Sequence, residues 1–299
     1  MATTTEPATL SGPAAHASLE HEHDMDMGKV PDWLLTHPEL RKRRIVVHEP
    51  LQPFTVYQTE WVSEGPIHVV KAINPSKPEA DIFELLDRHS DSPTDHAIPH
   101  ELIRCDRPLV VMPFVSGIQY AITYKTGAIL AVFAQILEGV EHMHRLRIAH
   151  GDIFTPNLVA ATEDDAKRDA RLTAGRVYLI DFESSRKFAH GPGIQTAVPL
   201  PDTHVIPPRG MTTFDPFSWD VYCLGLSFEA MVEERFIFKP KAIPWIPVRF
   251  SRWLKGDEAG LVRWFVAVAE LLAAAVRYPK TLFLFSPPRA DRSRDRQTS

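Results

Sequence analysis

The first third of the chain alternates short apolar runs with turn-forming residues. Branched and aromatic side chains are enriched in five segments, which predicts short β-strands. One segment between them groups Ile82, Phe83, Leu85 and Leu86 on one side, which predicts a short helix at 79–86. The predicted strands are residues 44–47, 54–62, 67–73, 101–105 and 108–112.

The rest of the chain has the period of amphipathic helices. Apolar residues recur at helical spacing in three long segments, each of which predicts a helix with one buried face. They are residues 128–145, 220–234 and 257–278. A small β-rich unit followed by a larger helical unit predicts an α+β fold with two lobes.

Composition and charge narrow the class of protein. The net charge of −5 and the pI of about 6.3 give no indication of nucleic-acid binding. Two cysteines in 299 residues fit a reducing compartment. The chain has no signal-peptide pattern, and its most apolar late stretch, 264–276, is too short to span a bilayer. We therefore expect no membrane partner and a cytoplasmic or nuclear location.

Both ends differ from the middle in composition. Residues 1–28 are rich in Thr, Ala, Ser and Pro, and residues 286–299 alternate Arg and Asp. Both compositions predict disordered tails. The remaining chain is expected to divide into 29–114 and 115–285.

One cluster of polar residues has the order that phosphoryl transfer requires. His150 and Asp152 are followed by Asn157, and Asp181 comes 24 residues after Asn157, behind an apolar run. One aspartate can accept or orient a hydroxyl, while an asparagine and a later aspartate can hold Mg²⁺ against phosphates. The pattern therefore predicts an ATP-dependent phosphotransferase.

These motifs resemble those of the protein kinases. The strand Val69-Val70-Lys71-Ala72-Ile73 resembles the strand whose lysine contacts the ATP phosphates, and Asp220-Val221-Tyr222-Cys223-Leu224-Gly225 resembles the start of the large central helix. The resemblance implies a bilobal kinase-like fold with a β-rich small N-terminal lobe and a helical C-terminal lobe.

The resemblance also implies roles for individual residues. Asp152 would be the catalytic base, with Asn157 and Asp181 as Mg²⁺ ligands. Lys71 would contact the phosphates and pair with a helix glutamate, for which Glu79 is the first candidate and Glu84 the second. His150 would pack the loop.

The adenine of ATP would bind at the connection between the lobes. Met112 falls at the position that lines the back of the nucleotide pocket in the family, and residues 113–115 would form the hinge. Phe114 would contact the nucleotide, and Val115 would supply the backbone donor, since Pro113 has no N–H.

The chain departs from the kinase pattern at several positions. Between residues 44 and 71 the only glycine is Gly65, so the glycine-rich loop that lets backbone approach the phosphates is missing. Phe154 replaces the lysine expected two residues after Asp152. The other departures are Gly151 for arginine, Glu183 for glycine and Arg209 for glutamate.

Three functions remain open from the sequence. The first is a protein-kinase-like enzyme that uses Mg-ATP to phosphorylate a protein, with serine or threonine preferred. The second is a pseudokinase, an interaction or scaffold module with weak or no catalysis. The third is a small-molecule kinase, because His-Gly-Asp and Ile-Asp-Phe-Glu also resemble aminoglycoside and choline phosphotransferases.

Overall fold

The computed structural model describes residues 28–200 and 203–256. The predicted helix at 257–278 and the predicted tail at 286–299 lie outside the described residues, as does all but the last residue of the predicted tail at 1–28.

The N-terminal part is a five-stranded antiparallel sheet with the strand order β1-β2-β3-β5-β4. The strands fall near the five segments that the sequence predicts. The exception is β1, which was predicted at 44–47 but begins at Val47. Arg44 has a left-handed φ of 59°, which lies outside the β region. The strands are β1 Val47–Gln52, β2 Val56–Thr59, β3 His68–Ala72, β4 Glu101–Ile103 and β5 Leu109–Pro113.

Two short helices precede the sheet and were not predicted. They are α1 Asp32–Leu35 and α2 Pro38–Lys42, and each is too short for helical periodicity to stand out in sequence. Leu34 and Leu40 are buried on one face of the sheet. Their apolar neighbours there are Ile45, Val47, Tyr57, Val70, Ile103, Leu109 and Val111.

The opposite face of the sheet joins the main core. Helix α3 Glu79–Asp87 agrees with the segment predicted at 79–86 and buries Ile82, Phe83 and Leu86. Helix α4 Thr126–Arg145 begins two residues before the predicted helix at 128–145. Phe133 of α4 stacks on Phe228 with ring centroids 3.8 Å apart.

The second long helix begins earlier than predicted. The prediction started it at Asp220, but α6 runs Pro216–Arg235 and Asp220 lies inside it. Asp215 is the N-cap, accepting a hydrogen bond from the Ser218 amide at 2.8 Å, and Pro216 opens the first turn. An Asp-Pro pair is a typical helix start, so the Asp220 carboxylate is not needed as a cap.

Short elements complete the helical part. Helix α7 Trp245–Lys255 packs against α6 and was not predicted. Within the described part of the chain, no helix combines the length and apolar composition that crossing a bilayer needs. The remaining elements are β6 Ile148–Ala149, β7 Leu158–Ala160, α5 Glu163–Arg168, β8 Val177–Leu179, β9 Arg186–Lys187, β10 Val198–Pro199 and β11 Thr213–Phe214.

A small antiparallel sheet with one packed helix, followed by a mainly helical unit, is the bilobal α+β arrangement of the protein-kinase-like fold. The predicted fold class is therefore confirmed. The loops after β5, β6 and β8 meet where the two parts face each other, and they carry most of the polar residues singled out in the sequence.

Candidate active site

Lys71 is the cation at the inner end of the site. It lies on β3, opposite Val110 of β5, and only 5% of its surface is exposed. Its Nζ is 2.7 Å from Glu79 Oε1 and 2.5 Å from Asp181 Oδ1. Burying an ammonium group in this way is costly unless anions surround it, and here two carboxylates do.

Glu79 contacts Lys71 because α3 begins at this residue, directly beside β3. The second candidate, Glu84, lies five residues further along α3, on a different side of the helix, and instead binds Arg104 at 2.6 Å. Of the two glutamates left open by the sequence, the structure thus brings Glu79 to the lysine.

The pKa shifts follow from this geometry. Burial opposes the charge of Lys71, but the attraction of Glu79 and Asp181 outweighs it and raises the Lys71 pKa. Burial likewise acts to raise the pKa of Asp181, and Lys71 outweighs it and lowers that pKa. Burial raises the pKa of Glu79, with Lys71 offsetting part of the effect. Lys71 and Asp181 therefore form a charged pair at neutral pH.

Side chains of α6 hold the loop that carries Asp152 in place. The fully buried Asp220 carboxylate accepts hydrogen bonds from the amides of His150 and Gly151, each at 2.8 Å, and lies 2.9 Å from His144 Nε2. Trp219 Nε1 donates to the Gly151 carbonyl at 2.8 Å. Asp220 therefore anchors the loop backbone and does not face the cleft.

Gly151 has a structural reason to be glycine. Its φ is +82°, and a Cβ added there would lie 2.7 Å from the Ser184 carbonyl oxygen. A side chain would therefore meet both a strained backbone and a steric clash. The arginine expected from the kinase pattern does not fit this loop conformation.

Asp152 and Asn157 are joined through the short turn between them. Asn157 Nδ2 donates to the Asp152 carbonyl at 2.9 Å, and both residues are buried. His150 is also buried, with Nε2 3.1 Å from the Ile180 carbonyl oxygen, so it packs the loop against the residue before Asp181.

Asp181 reaches the site through an unusual backbone conformation. Its φ of 64° is left-handed, which aspartate tolerates better than most residues. Phe182 after it is fully buried and packs edge-on against Phe83 of α3, with centroids 5.1 Å apart. This contact ties the position of Asp181 to that of α3.

Glu183 has partners that the sequence reading missed. Its carboxylate hydrogen-bonds to Lys77 and lies 3.7 Å from Lys71 Nζ. Lys77 precedes α3 and carries no family signature, so only its proximity in the fold identifies it. Glutamate in place of glycine at 183 therefore adds an ion pair between the two parts of the chain.

The sequence reading also missed His204. Its Nδ1 is 3.1 Å from Asp152 Oδ2, and its amide is 3.3 Å from Asp152 Oδ1. The imidazole stacks on Phe154, with centroids 4.6 Å apart and ring planes 18° apart. No local motif marks His204, because it lies 52 residues after Asp152 in an irregular loop.

Several of these residues line one cleft with a volume of about 430 Å³. Glu79 and Asp152 are not among its lining residues; Glu79 contacts the lining residue Lys71, and Asp152 contacts His204. Its walls bring together Lys71, Asn157, Asp181, Phe154 and His204. The predicted adenine-site residues Met112, Phe114 and Val115 also line it. The other lining residues are Leu51, Gln52, Val56, Val69, Ile98, Pro113, Pro156, Val159 and Ile180.

The hinge leaves one backbone donor available. The Phe114 amide donates to the Ile67 carbonyl at 2.8 Å, which continues the sheet. The Val115 amide has no hydrogen-bond partner among the described residues, although Val115 is buried at the cleft. A buried, unpaired amide beside an apolar wall is suited to bind a flat heteroaromatic ring with an acceptor nitrogen.

The turn over the cleft between β1 and β2 contains no glycine. It runs through Pro53 and Phe54, and Phe54 adopts a left-handed φ of 67°. Pro53 has no N–H to donate to a phosphate, so this turn offers fewer hydrogen-bond donors than a glycine-rich loop.

Comparison with known proteins assigns no family to the chain. No family model matches the chain, and no curated protein matches it. Among solved structures, the chain is similar to the Cydia pomonella granulovirus kinase PK-1. The identity is 17%, the match covers 70% of this chain and 86% of that chain, and the TM-score is 0.47. This similarity identifies neither a family nor a substrate.

Proposed function

We propose that the protein is an ATP-dependent phosphotransferase that transfers the γ-phosphoryl group of Mg-ATP to a hydroxyl of a protein, with serine or threonine preferred. The observation that carries this proposal is the buried Lys71 bridging Glu79 and Asp181 at the inner wall of the cleft. A scaffold has no physical need for a costly buried triad that opens onto a cleft, whereas phosphate binding requires a fixed cation there.

The nucleotide would lie between the hinge and Lys71. Met112 and the other apolar lining residues would cover the adenine, and the Val115 amide would donate to a ring nitrogen. Lys71 would give up part of its contact with Asp181 to bind the phosphates, and Glu79 would keep the Lys71 ammonium group oriented.

The donor set fits Mg²⁺. Asn157 uses Nδ2 to bind the Asp152 carbonyl, so its Oδ1 remains for a metal, and Asp181 Oδ2 has no side-chain partner among the described residues. Within that same part of the chain, no three His, Cys, Asp or Glu side chains form a self-contained metal cluster. Mg²⁺ commonly takes one or two protein oxygens and completes its shell with phosphates and water, so two ligands suffice. When bound, the ion would neutralise charge on the phosphates.

Asp152 would act on the acceptor. In the proposed step, the acceptor oxygen forms a bond to Pγ, and the bond from Pγ to the β,γ-bridging oxygen breaks, with its electron pair leaving on ADP. The hydroxyl proton passes to Asp152. Anchoring of the loop by Asp220 would hold Asp152 in position for this transfer.

The test is phosphate transfer from γ-labelled ATP by the full chain. The acceptors are the chain itself, a Ser/Thr peptide library, an aminoglycoside and choline. We expect Mg-dependent label on serine or threonine, reduced about 10²-fold or more in Asp152→Asn. Asp164→Asn, an exposed aspartate on α5, is the matched control and should retain activity. Equal transfer by wild type and Asp152→Asn would reject Asp152 as the base, and label only on an aminoglycoside or choline acceptor would assign a small-molecule kinase.

A pseudokinase is the second candidate. The glycine-free turn at Pro53 and Phe54 favours it, because phosphates would find fewer backbone donors there. Nucleotide binding that does not depend on Mg²⁺, together with no transfer to any acceptor, would support this alternative and exclude the enzyme.

A further inference from the structure

The cleft has few positively charged side chains for a reaction in which negative charge develops on the transferred group. During phosphoryl transfer, charge develops on the equatorial oxygens of the moving group and must be stabilised at the acceptor side. Among the described residues that line the cleft, only Lys71 and His204 carry or can acquire a positive charge. Lys71 is at the inner wall and is already held by Glu79 and Asp181.

His204 lies at the acceptor side because it binds the proposed base directly. Its amide and its Nδ1 each contact a different oxygen of Asp152. A carboxylate has about four lone-pair positions, so two such contacts still leave lone pairs that can accept from a hydroxyl.

The ring of His204 is held on one face only. Phe154 provides a stacking platform beneath it, yet 69% of the histidine side chain remains exposed. With Nδ1 directed at Asp152, Nε2 makes no hydrogen bond to the described part of the chain. The side chain is thus oriented by two contacts. Because Nδ1 carries the hydrogen that it donates to the Asp152 carboxylate, Nε2 can also donate only when the ring is the imidazolium.

We propose that His204 is a catalytic residue that, as the imidazolium, donates a hydrogen bond from Nε2 to the γ-phosphoryl group as it moves to the acceptor. The inference rests on the phosphotransferase function proposed above and deepens it. Asp152 takes the hydroxyl proton and ADP takes the electron pair of the broken P–O bond. The imidazole of His204 is unchanged after each cycle.

The same contacts could instead block the base. In that alternative, His204 would hold Asp152 away from an acceptor, and its removal would raise activity. Kinetics distinguish the two, because loss of a transition-state donor lowers kcat with little change in KM, whereas loss of a block increases kcat.

The experiment measures kcat and the KM for ATP in three variants of the full chain. Two are the single substitutions His204→Ala and His204→Asn, and the third combines His204→Ala with Phe154→Lys. His204→Asn keeps a donor near Asp152 but has no group at the Nε2 position, and Phe154→Lys returns a cation to the same side of the cleft. His190→Ala, an exposed histidine between β9 and β10 without a contact to Asp152, is the matched control. Because His204 is largely exposed, we expect its variants to have the melting temperature of the wild type. This agreement would exclude misfolding as the cause of a lower kcat.

We expect kcat to fall about 10²-fold in His204→Ala, with the KM for ATP nearly unchanged. His204→Asn should be equally impaired, the added Phe154→Lys should restore part of kcat, and His190→Ala should behave as wild type. Unchanged or raised kcat in His204→Ala, or full activity in His204→Asn, would overturn the inference while leaving the phosphotransferase function standing. A wild-type chain that binds Mg-ATP and transfers nothing would overturn both.

Discussion

Asp220 should contribute more to stability than any surface aspartate, because Asp220→Ala removes the acceptor for two buried amides. The amides of His150 and Gly151 each lie 2.8 Å from its carboxylate, and the side chain is fully buried. A buried donor left without a partner costs about 1–3 kcal/mol, so the two amides together imply a loss of about 2–6 kcal/mol. In a domain of this size that corresponds to a melting temperature lower by at least about 4 °C.

Urea unfolding followed by circular dichroism measures this loss directly. Asp215→Ala is the matched control, since it removes a carboxylate from the N-terminus of the same helix. Asp215 makes one N-cap hydrogen bond, whose loss costs about 1 kcal/mol. If Asp220→Ala unfolds at the same urea concentration as Asp215→Ala, the carboxylate does not anchor the loop and the reasoning is wrong.

Two further predictions concern the core. Phe133→Ala should lower the free energy of unfolding by about 3–5 kcal/mol, because the ring is fully buried and stacked on Phe228; a loss below 1 kcal/mol in urea unfolding would contradict this packing. Burial raises the pKa of the Cys223 thiol well above its usual value, whereas Cys105 is exposed. A thiol-specific dye should therefore label Cys105 alone in the native protein and both cysteines in denaturant, and rapid native labelling of Cys223 would show that α6 is not packed as described.

The sequence predicted the parts of the fold that have strong local signals. Branched residues around Lys71 predicted β3, and helical spacing of apolar residues predicted α4. The contact of Lys71 with a helix glutamate was implied by the resemblance to the kinases, with Glu79 as the first candidate. The sequence did not decide between Glu79 and Glu84, because both lie on α3 and only the packing of that helix determines which one faces Lys71.

Other features depend on long-range contacts that leave no local pattern. His204 meets Asp152 only because the segment before β11 folds back over the cleft. Lys77 meets Glu183 only because α3 packs near Phe182. The start of α6 was misplaced because the segment from Asp220 resembles the start of the central helix of protein kinases, although Asp215 and Pro216 carry the local start signal.

The proposed function depends on one claim, that the cleft assembles a Mg-nucleotide site around Lys71 and Asp181. The most direct measurement is thermal unfolding of the full chain with about 1 mM ATP, with and without Mg²⁺, beside Asp181→Asn. For a dissociation constant of about 10 μM, ligand linkage stabilises the protein by about 2.7 kcal/mol, which raises the melting temperature by about 5–11 °C. We predict that this increase requires Mg²⁺ and disappears in Asp181→Asn. No increase in the wild type, or an equal increase in Asp181→Asn, would contradict the claim.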